Sequence, residues 1–208
     1  MKRILITAFG NYGPWEANAS WLALIALTRE LPRDVSVVTR KYPVELRAAQ
    51  SLLESDLAAG FDFALHLGQA PGSTCLALEL FAINAFAADA AGTVERLATD
   101  GPAAFATQLP LQPWAAALGR QGIPSRVSTH AGTYLCNAVY YWNQWLCQQE
   151  GYHTQSAFIH LPLAPEQAAQ SHQREPSMHT ELAADGIRRI VDWMVRLETP
   201  ASGDLRTL

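Results

Sequence analysis

Runs of apolar residues along the chain predict the strands of a sheet. The first run, Arg3 to Phe9, has three consecutive apolar positions, which is typical of a strand buried on both faces. The run from Phe61 to Leu67 alternates, so that every second side chain would lie on one face. The predicted strands cover 3–9, 35–42, 61–67, 74–84 and 156–161.

Apolar residues at helical spacing separate these strands. The predicted helices cover 20–31, a segment that starts at Pro43 and stops at Gly60, a short stretch near Trp114, 135–149 and 180–197. The rest of 85–124 is rich in Ala, Gly and Pro, which predicts loop. The βαβαβ order of the N-terminal part predicts an α/β fold with an open, twisted, mainly parallel sheet flanked by helices in three layers.

Length and composition favour one globular domain. The chain has 208 residues, of which 49% are apolar and 16% charged, enough for one sizeable core. We predict a single domain over 1–208, with a flexible tail at 200–208. The net charge of −4 argues against a nucleic-acid partner, which usually requires a basic face.

The cysteine pattern favours a reducing compartment. The three cysteines have no CxxC spacing, which argues against a disulfide scaffold or a zinc site. No apolar run reaches the length of a membrane span, and the apolar run after the basic N-terminus is too short for a signal peptide. We therefore predict a cytoplasmic protein without membrane association. Because the sequence also lacks a phosphate loop and a nucleotide fingerprint, we predict no metal and no cofactor.

The stretch SRVSTHAGTYLCNAVYYWNQWLCQQEG, residues 125–151, places Cys136 in the first turn of a predicted helix. Gly132 and Thr133 supply the tight turn that this placement needs. Anions are stabilised at the amino end of a helix, and the amide N–H groups there can donate to an oxyanion. These features favour a nucleophilic thiol. The alternative is a small buried core residue, which position alone does not exclude.

Two further residues could complete the chemistry of a cysteine nucleophile. His160 lies near the end of its strand, and open α/β sheets build their sites at strand ends. Glu79 shares one strand face with apolar neighbours, where a carboxylate needs a partner such as a histidine. The alternatives are a structural or surface histidine and an edge strand that leaves Glu79 in water.

Motifs around these residues resemble pyroglutamyl peptidase I, a family of cytosolic cysteine peptidases also called pyrrolidone carboxyl peptidases. The segment AGTYLCN at 131–137 is similar to the family's nucleophile motif AGT(F/Y)xCN, and FIHLPLAPEQ at 158–167 is similar to its histidine motif. The segment GQAPGSTCLALELFAIN at 68–84 resembles the motif of the acidic residue. Further matches are TAFGNYGPWEANASW at 7–21 and DGPAAFATQLP at 100–110. The cysteine and the histidine are 24 residues apart, which also fits the family.

The resemblance implies a phosphorylase/hydrolase-like sandwich that removes N-terminal pyroglutamate from peptides through a thioester. Cys136 would attack the carbonyl that follows the lactam ring, His160 would carry the proton, and Glu79 would orient His160. The ring is small and neutral, so its pocket needs apolar walls and backbone hydrogen bonds. The implied substrate-binding residues are Phe9, Tyr12, Asn18, Gln69, Tyr134 and Leu135, although Phe9 could equally be a core residue. The family also implies a homo-oligomer, either a dimer or a tetramer.

Departures from the family motifs keep two alternatives open. Asp89 falls where the family usually carries an arginine, and Ser73 replaces the arginine of the glycine-rich motif. A carboxylate near the thiol would disfavour a developing oxyanion, so the chain could bind blocked peptide ends without turnover. Tyr12, in place of the usual Phe, would permit a different small acyl group. Retention of all three triad candidates favours an active pyroglutamyl peptidase.

Overall fold

The structure is a computed structural model that describes residues 1–32, 34–88, 92–171 and 175–197. The predicted tail at 200–208 lies outside the described residues. The strands are β1 (Lys2–Phe9), β2 (Val35–Tyr42), β3 (Phe63–Gln69), β4 (Leu76–Ile83), β5 (Ala104–Ala106), β6 (Ser125–His130) and β7 (Gln155–Leu161). The helices are α1 (Ala19–Thr28), α2 (Leu46–Ala58), α3 (Leu111–Arg120), α4 (Leu135–Glu150), α5 (Pro165–Gln170) and α6 (Thr180–Arg196).

The described strands form one mixed sheet in the order β2-β1-β3-β7-β4-β5, with β6 also paired to β4. Strand β1 is parallel to β2 and β3, β3 is parallel to β7, and β4 is parallel to β6. Strand β4 runs antiparallel to β7 and β5. The predicted α/β fold with a mainly parallel sheet is therefore confirmed, and the antiparallel step at β4 is an addition to it.

Helices cover both faces of the sheet. Helices α1, α3 and α6 pack with alternate residues of β1, β3 and β7 into one hydrophobic core, and α2 and α4 form a second core on the opposite face. Successive strand residues therefore enter different cores, as Phe158 and Ile159 of β7 do. Phe63, Leu65 and Leu67 enter the same core, so the predicted placement of alternate residues on one face is confirmed for these three. Every residue of β3 is buried, because helices cover the sheet on both faces.

Helix α2 begins later than the sequence predicted. Its first residue is Leu46 rather than Pro43, because the Glu45 side chain caps the helix. The carboxylate of Glu45 accepts hydrogen bonds from the backbone N–H groups of Arg47 and Ala48, at 2.9 and 2.7 Å. A carboxylate satisfies these otherwise unpaired donors, so the cap rather than the proline fixes the start.

The segment 85–124 is more ordered than predicted. It contains the short strand β5 as well as α3, which is the predicted helix near Trp114. Strand β5 is three residues long and pairs with the end of β4, so it has too few residues to leave a periodic signal. Among the described residues, no helix has both the length and the apolar character needed to cross a bilayer.

Candidate active site

Strands β4 and β7 bring a glutamate beside a histidine. In their antiparallel register Ala77 pairs with His160, and Glu79 pairs with Phe158. His160 Nδ1 lies 2.8 Å from Glu79 Oε1, and Glu79 is only 2% exposed. Because β4 lies between β7 and β6, the alternative of an edge strand with Glu79 in water is wrong.

Helix α4 places a thiol on the other side of the imidazole. Cys136 is the second residue of the helix and follows a turn in which Gly132 has a φ of +77°. Cys136 and His160 line the same cavity, and the sulfur is close enough to raise the pKa of the imidazole. With Nδ1 bonded to Glu79, the Nε2 atom of His160 is the one that can serve the sulfur. The structure thus brings the three predicted triad residues together.

The surroundings of His160 favour its protonated form. Burial by itself lowers the pKa of His160, but the Cys136 sulfur and then the Glu79 carboxylate outweigh burial and raise this pKa to about 9. At neutral pH the imidazole therefore tends to hold a proton. A histidine in that state can donate a proton to a leaving group.

Gly68 of β3 makes room for the sulfur. It pairs with His160 in the parallel register of β3 and β7. A Cβ atom at this position would lie 2.9 Å from Cys136 Sγ and 2.8 Å from Phe158 Cζ, closer than real Cβ contacts. Sequence reasoning missed this role, although a glycine inside a strand often marks a close approach.

Asn137 ties the first turn of α4 to the strand that carries Glu79. Its Oδ1 accepts from the N–H of Ile83 at 2.9 Å, and its Nδ2 donates to the carbonyls of Ile83 and Ala85 at 2.9 and 2.8 Å. The side chain is fully buried, so these bonds are not exchanged with water. Asn137 is the last residue of the motif AGTYLCN, but the motif alone does not indicate this role.

A cavity of about 390 Å³ opens beside Cys136 and His160. All six predicted substrate-binding residues line it, namely Phe9, Tyr12, Asn18, Gln69, Tyr134 and Leu135. Phe9 and Leu135 are both 2% exposed, so Phe9 is at once a core residue and a cavity wall. Asn18 uses its polar atoms within the fold, because Nδ2 donates to Gly10 O and Oδ1 accepts from Ser20. It thereby shapes the turn between β1 and α1.

Gln69 offers a free hydrogen-bond donor at this cavity. Its Oε1 accepts from the N–H of Ala19 at 2.7 Å and from Gln167 Nε2 at 2.8 Å. These two donors fix the orientation of the amide. Its Nε2 is buried and has no hydrogen-bond partner among the described residues. A buried amide donor of this kind is suited to a ligand carbonyl.

Aromatic rings form the outer wall. The ring of Tyr134 lies 5.8 Å from that of Tyr12 and 5.8 Å from that of Phe86, centroid to centroid. Tyr12 is 43% exposed, so its hydroxyl has access to water. The additional hydroxyl of Tyr12, relative to Phe, is therefore not forced into an apolar environment.

Comparison with known proteins places this site in a family. The model of the family described as pyroglutamyl peptidase matches residues 2–196. The chain belongs to the pyroglutamyl peptidase family. Curated relatives include the pyrrolidone-carboxylate peptidase of Streptomyces coelicolor, 34% identical, with 99% of this chain and 97% of the relative covered. That of Cupriavidus pinatubonensis is 36% identical, with 92% of each chain covered.

Solved pyrrolidone carboxyl peptidases share the fold. The enzyme of Fervidobacterium islandicum AW-1 superposes with a TM-score of 0.86 at 32% identity, covering 92% of this chain and 97% of that one. The peptidase of Thermococcus litoralis gives a TM-score of 0.86 at 29% identity, with 94% of each chain covered. The resemblance to the pyroglutamyl peptidase family is therefore confirmed over nearly the whole chain.

Two positions depart from the pyroglutamyl peptidase motifs. Ser73 is a turn residue, because its Oγ donates to the carbonyl of Cys75 at 2.8 Å. Asp89 lies outside the described residues. Within the described part of the chain, no group of three or more His, Cys, Asp or Glu side chains could hold a metal ion.

Proposed function

We propose that this protein is a cysteine peptidase that removes N-terminal pyroglutamate from peptides. The observation that carries the proposal is that Cys136 and His160 line one cavity while the buried carboxylate of Glu79 bonds to His160 from behind. The relatives and neighbours of the chain are named pyrrolidone-carboxylate or pyrrolidone carboxyl peptidases, which supports the same acyl group as substrate. The chemistry can be written from the residues of this chain alone.

Acylation begins with attack by Cys136 Sγ on the carbonyl carbon that follows the lactam ring. At neutral pH His160 already holds the proton that the thiol has given up, and Glu79 holds the imidazole in orientation. The carbonyl oxygen becomes an oxyanion near the first turn of α4. The first N–H to bond within this helix is that of Ala138, to Tyr134 O, so the preceding amides are candidate donors to the oxyanion.

Release of the shortened peptide follows when His160 gives its proton to the leaving amine. The C–N bond breaks, and the pyroglutamyl group remains on Cys136 as a thioester. His160 then acts as a base and takes a proton from water, which attacks the thioester. The C–S bond breaks, pyroglutamate leaves, and the enzyme returns to its starting state with the proton on His160.

Recognition of the lactam ring requires no counter-ion. Phe9 and Leu135 provide apolar walls for the ring methylenes. Gln69 Nε2 provides a donor for the ring carbonyl. A proline at the same place has no ring carbonyl and would leave this donor unpaired. A free glutamate would bring a charge into an apolar pocket, so both residues are disfavoured.

Three amides with one fluorogenic leaving group test the proposal. The purified protein is incubated with the pyroglutamyl, prolyl and glutaminyl derivatives, and a Cys136→Ala variant measures any contaminating peptidase. We expect release from the pyroglutamyl amide alone. Release from another acyl group would mean altered specificity, and no release from any amide, with ligand binding retained, would mean a binding module.

We also propose that the enzyme works in the cytoplasm. The three cysteines are free, and a reducing compartment keeps a nucleophilic thiol unoxidised. Cell fractionation should find the activity with cytoplasmic markers, and recovery from the extracellular fraction alone would contradict this. The dimer or tetramer implied by the family stays a prediction, which light scattering on the purified protein can test.

A further inference from the structure

A line of buried hydrogen bonds crosses the core beneath α4, apart from the residues to which the mechanism assigns a role. We call it the buried relay. It consists of the side chains of Thr7 on β1, His66 on β3, and Asn143 and Cys147 on α4, and it ends where Cys147 meets a backbone carbonyl, that of Thr154. Thr7, His66 and Asn143 have no exposed surface. Polar side chains buried this deeply are stabilising only when each donor and acceptor is paired.

The bonds of the relay fix one direction of donation. The sulfur of Cys147 donates to the carbonyl of Thr154 at 3.7 Å, so it accepts from Asn143 Nδ2 at 3.6 Å. The Oδ1 of Asn143 therefore faces His66 and lies 3.0 Å from Nε2, which carries the proton. Nδ1 of His66 is then the acceptor for the Thr7 hydroxyl at 2.8 Å. The imidazole is neutral, because burial lowers the pKa of His66 to about 4.

The relay acts on the helix that carries the nucleophile. Asn143 follows Cys136 by seven residues, which is close to two helical turns, so both side chains lie on the same face of α4. His66 and Gly68 are two residues apart on β3 and lie on the same face of the sheet. One helix face thus meets one strand face at two points, where Asn143 bonds His66 and where the Cys136 sulfur rests on Gly68.

These two contacts constrain α4 in different ways. The sulfur sits against Gly68 and the ring of Phe158, where a Cβ atom would already be too close. Packing of this kind prevents approach but does not by itself prevent rotation or sliding away. A hydrogen bond does resist such movement, because it weakens steeply as its length and angle change.

We propose that Thr7, His66 and Asn143 are positioning residues, which set the rotation and the axial position of α4 on β3 and so hold the Cys136 sulfur within reach of His160. The catalytic consequence rests on the proposed function. The reactivity of the thiol toward an alkylating reagent does not, so the two can be tested separately.

The test compares Thr7→Val with Thr7→Ser. Valine keeps the volume of the threonine but removes the hydroxyl that donates to His66, whereas serine keeps the hydroxyl. The control is Thr154→Val, which removes another buried hydroxyl, the one that donates to Phe61 O at 2.7 Å. That bond lies at the opposite end of β3 from Gly68 and is not a link of the relay.

Four quantities are measured for each variant, namely the melting temperature, kcat and KM on a pyroglutamyl amide, and the rate at which iodoacetamide alkylates Cys136, located by peptide mass spectrometry. For Thr7→Val we expect kcat to fall by about tenfold or more with KM nearly unchanged, because a small displacement of the nucleophile costs rate rather than binding. The alkylation rate of Cys136 should change in the same variant. Thr7→Ser should restore both kcat and the alkylation rate. Thr154→Val should lower the melting temperature without changing kcat or the alkylation rate.

Equal effects of Thr7→Val and Thr154→Val on kcat and on alkylation would overturn the proposal, since the relay would then be ordinary core structure. If the wild type does not cleave pyroglutamyl amides, the alkylation rates still decide the positioning role. If Thr7→Val does not fold, Asn143→Ser takes its place, because a serine hydroxyl is too short to reach His66 Nε2. Wild-type alkylation of Cys136 in folded Asn143→Ser would equally overturn the proposal.

Discussion

Two histidines lie against the same phenyl ring and have opposite properties. The ring centroid of Phe158 is 6.3 Å from that of His66 and 4.8 Å from that of His160. The pKa of His66 falls to about 4, whereas the pKa of His160 rises to about 9. Both imidazoles lie within the covered sheet, so burial alone does not explain the difference.

The groups beside the two histidines explain the difference between their pKa values. His66 bonds to a hydroxyl and an amide, Thr7 and Asn143, neither of which carries a charge, so burial decides and the ring stays neutral. His160 bonds to Glu79 and lies beside Cys136, and the negative charge of these two groups stabilises an imidazolium. The same residue type therefore serves as a fixed structural link in one place and as a proton carrier in the other.

The largest expected effect comes from removing the nucleophile beside His160. Cys136→Ala should lower kcat on a pyroglutamyl amide by at least about 10³-fold with folding intact, because the thioester can no longer form. The matched control is Cys75→Ala, which removes a free thiol that the mechanism does not use. Steady-state kinetics and circular dichroism on both variants check this, and normal turnover by Cys136→Ala would exclude this thiol from the mechanism.

Removing the charge that distinguishes the two histidines should have the next largest effect. Glu79→Gln keeps the size of the side chain but removes the carboxylate, so we expect kcat to fall by roughly 10²-fold to 10⁴-fold. In the wild type, kcat/KM should decline as pH rises through about 9, because His160 then loses the proton that the leaving amine needs. In Glu79→Gln this alkaline decline should move to lower pH. An unmoved decline would mean that another group causes it.

Gly68→Ala tests the close approach of the sulfur to the sheet. The new methyl group would press on Cys136 Sγ and Phe158, so we expect kcat to fall by about tenfold or more. Gly186→Ala is the matched control, because its Cβ would lie 2.7 Å from Leu76 Cδ1 in the core beneath α6. Both variants should lose about 1–3 kcal/mol of unfolding free energy from overpacking. Equal kcat values in the two variants would contradict the role given to Gly68.

The smallest expected effect is at His66, whose ring should show no titration. Its pKa of about 4 predicts one neutral form, protonated at Nε2, throughout the range from about pH 5.5 to pH 8. Nitrogen NMR on imidazole-labelled protein measures this directly. A change of the His66 signals within that range would mean that the relay carries charge and that the contrast with His160 is wrong.

The sequence was sufficient for the layers of the fold and for the residues that line the cavity, because apolar runs and family motifs are local patterns. Strand order is not local. No periodicity indicates that β4 lies between β7 and β6, yet this placement buries Glu79 beside His160. The roles of Gly68 and Asn143 also depend on contacts between distant segments. The catalytic and binding roles of the named residues stay predictions until they are measured.

A crystal structure with the aldehyde analogue of pyroglutamate tests the central claim most directly. The account predicts a covalent bond between Cys136 Sγ and the aldehyde carbon, with the ring between Phe9 and Leu135 and its carbonyl within hydrogen-bonding distance of Gln69 Nε2. Binding of the aldehyde at another site, with Cys136 unmodified and turnover undiminished, would contradict it.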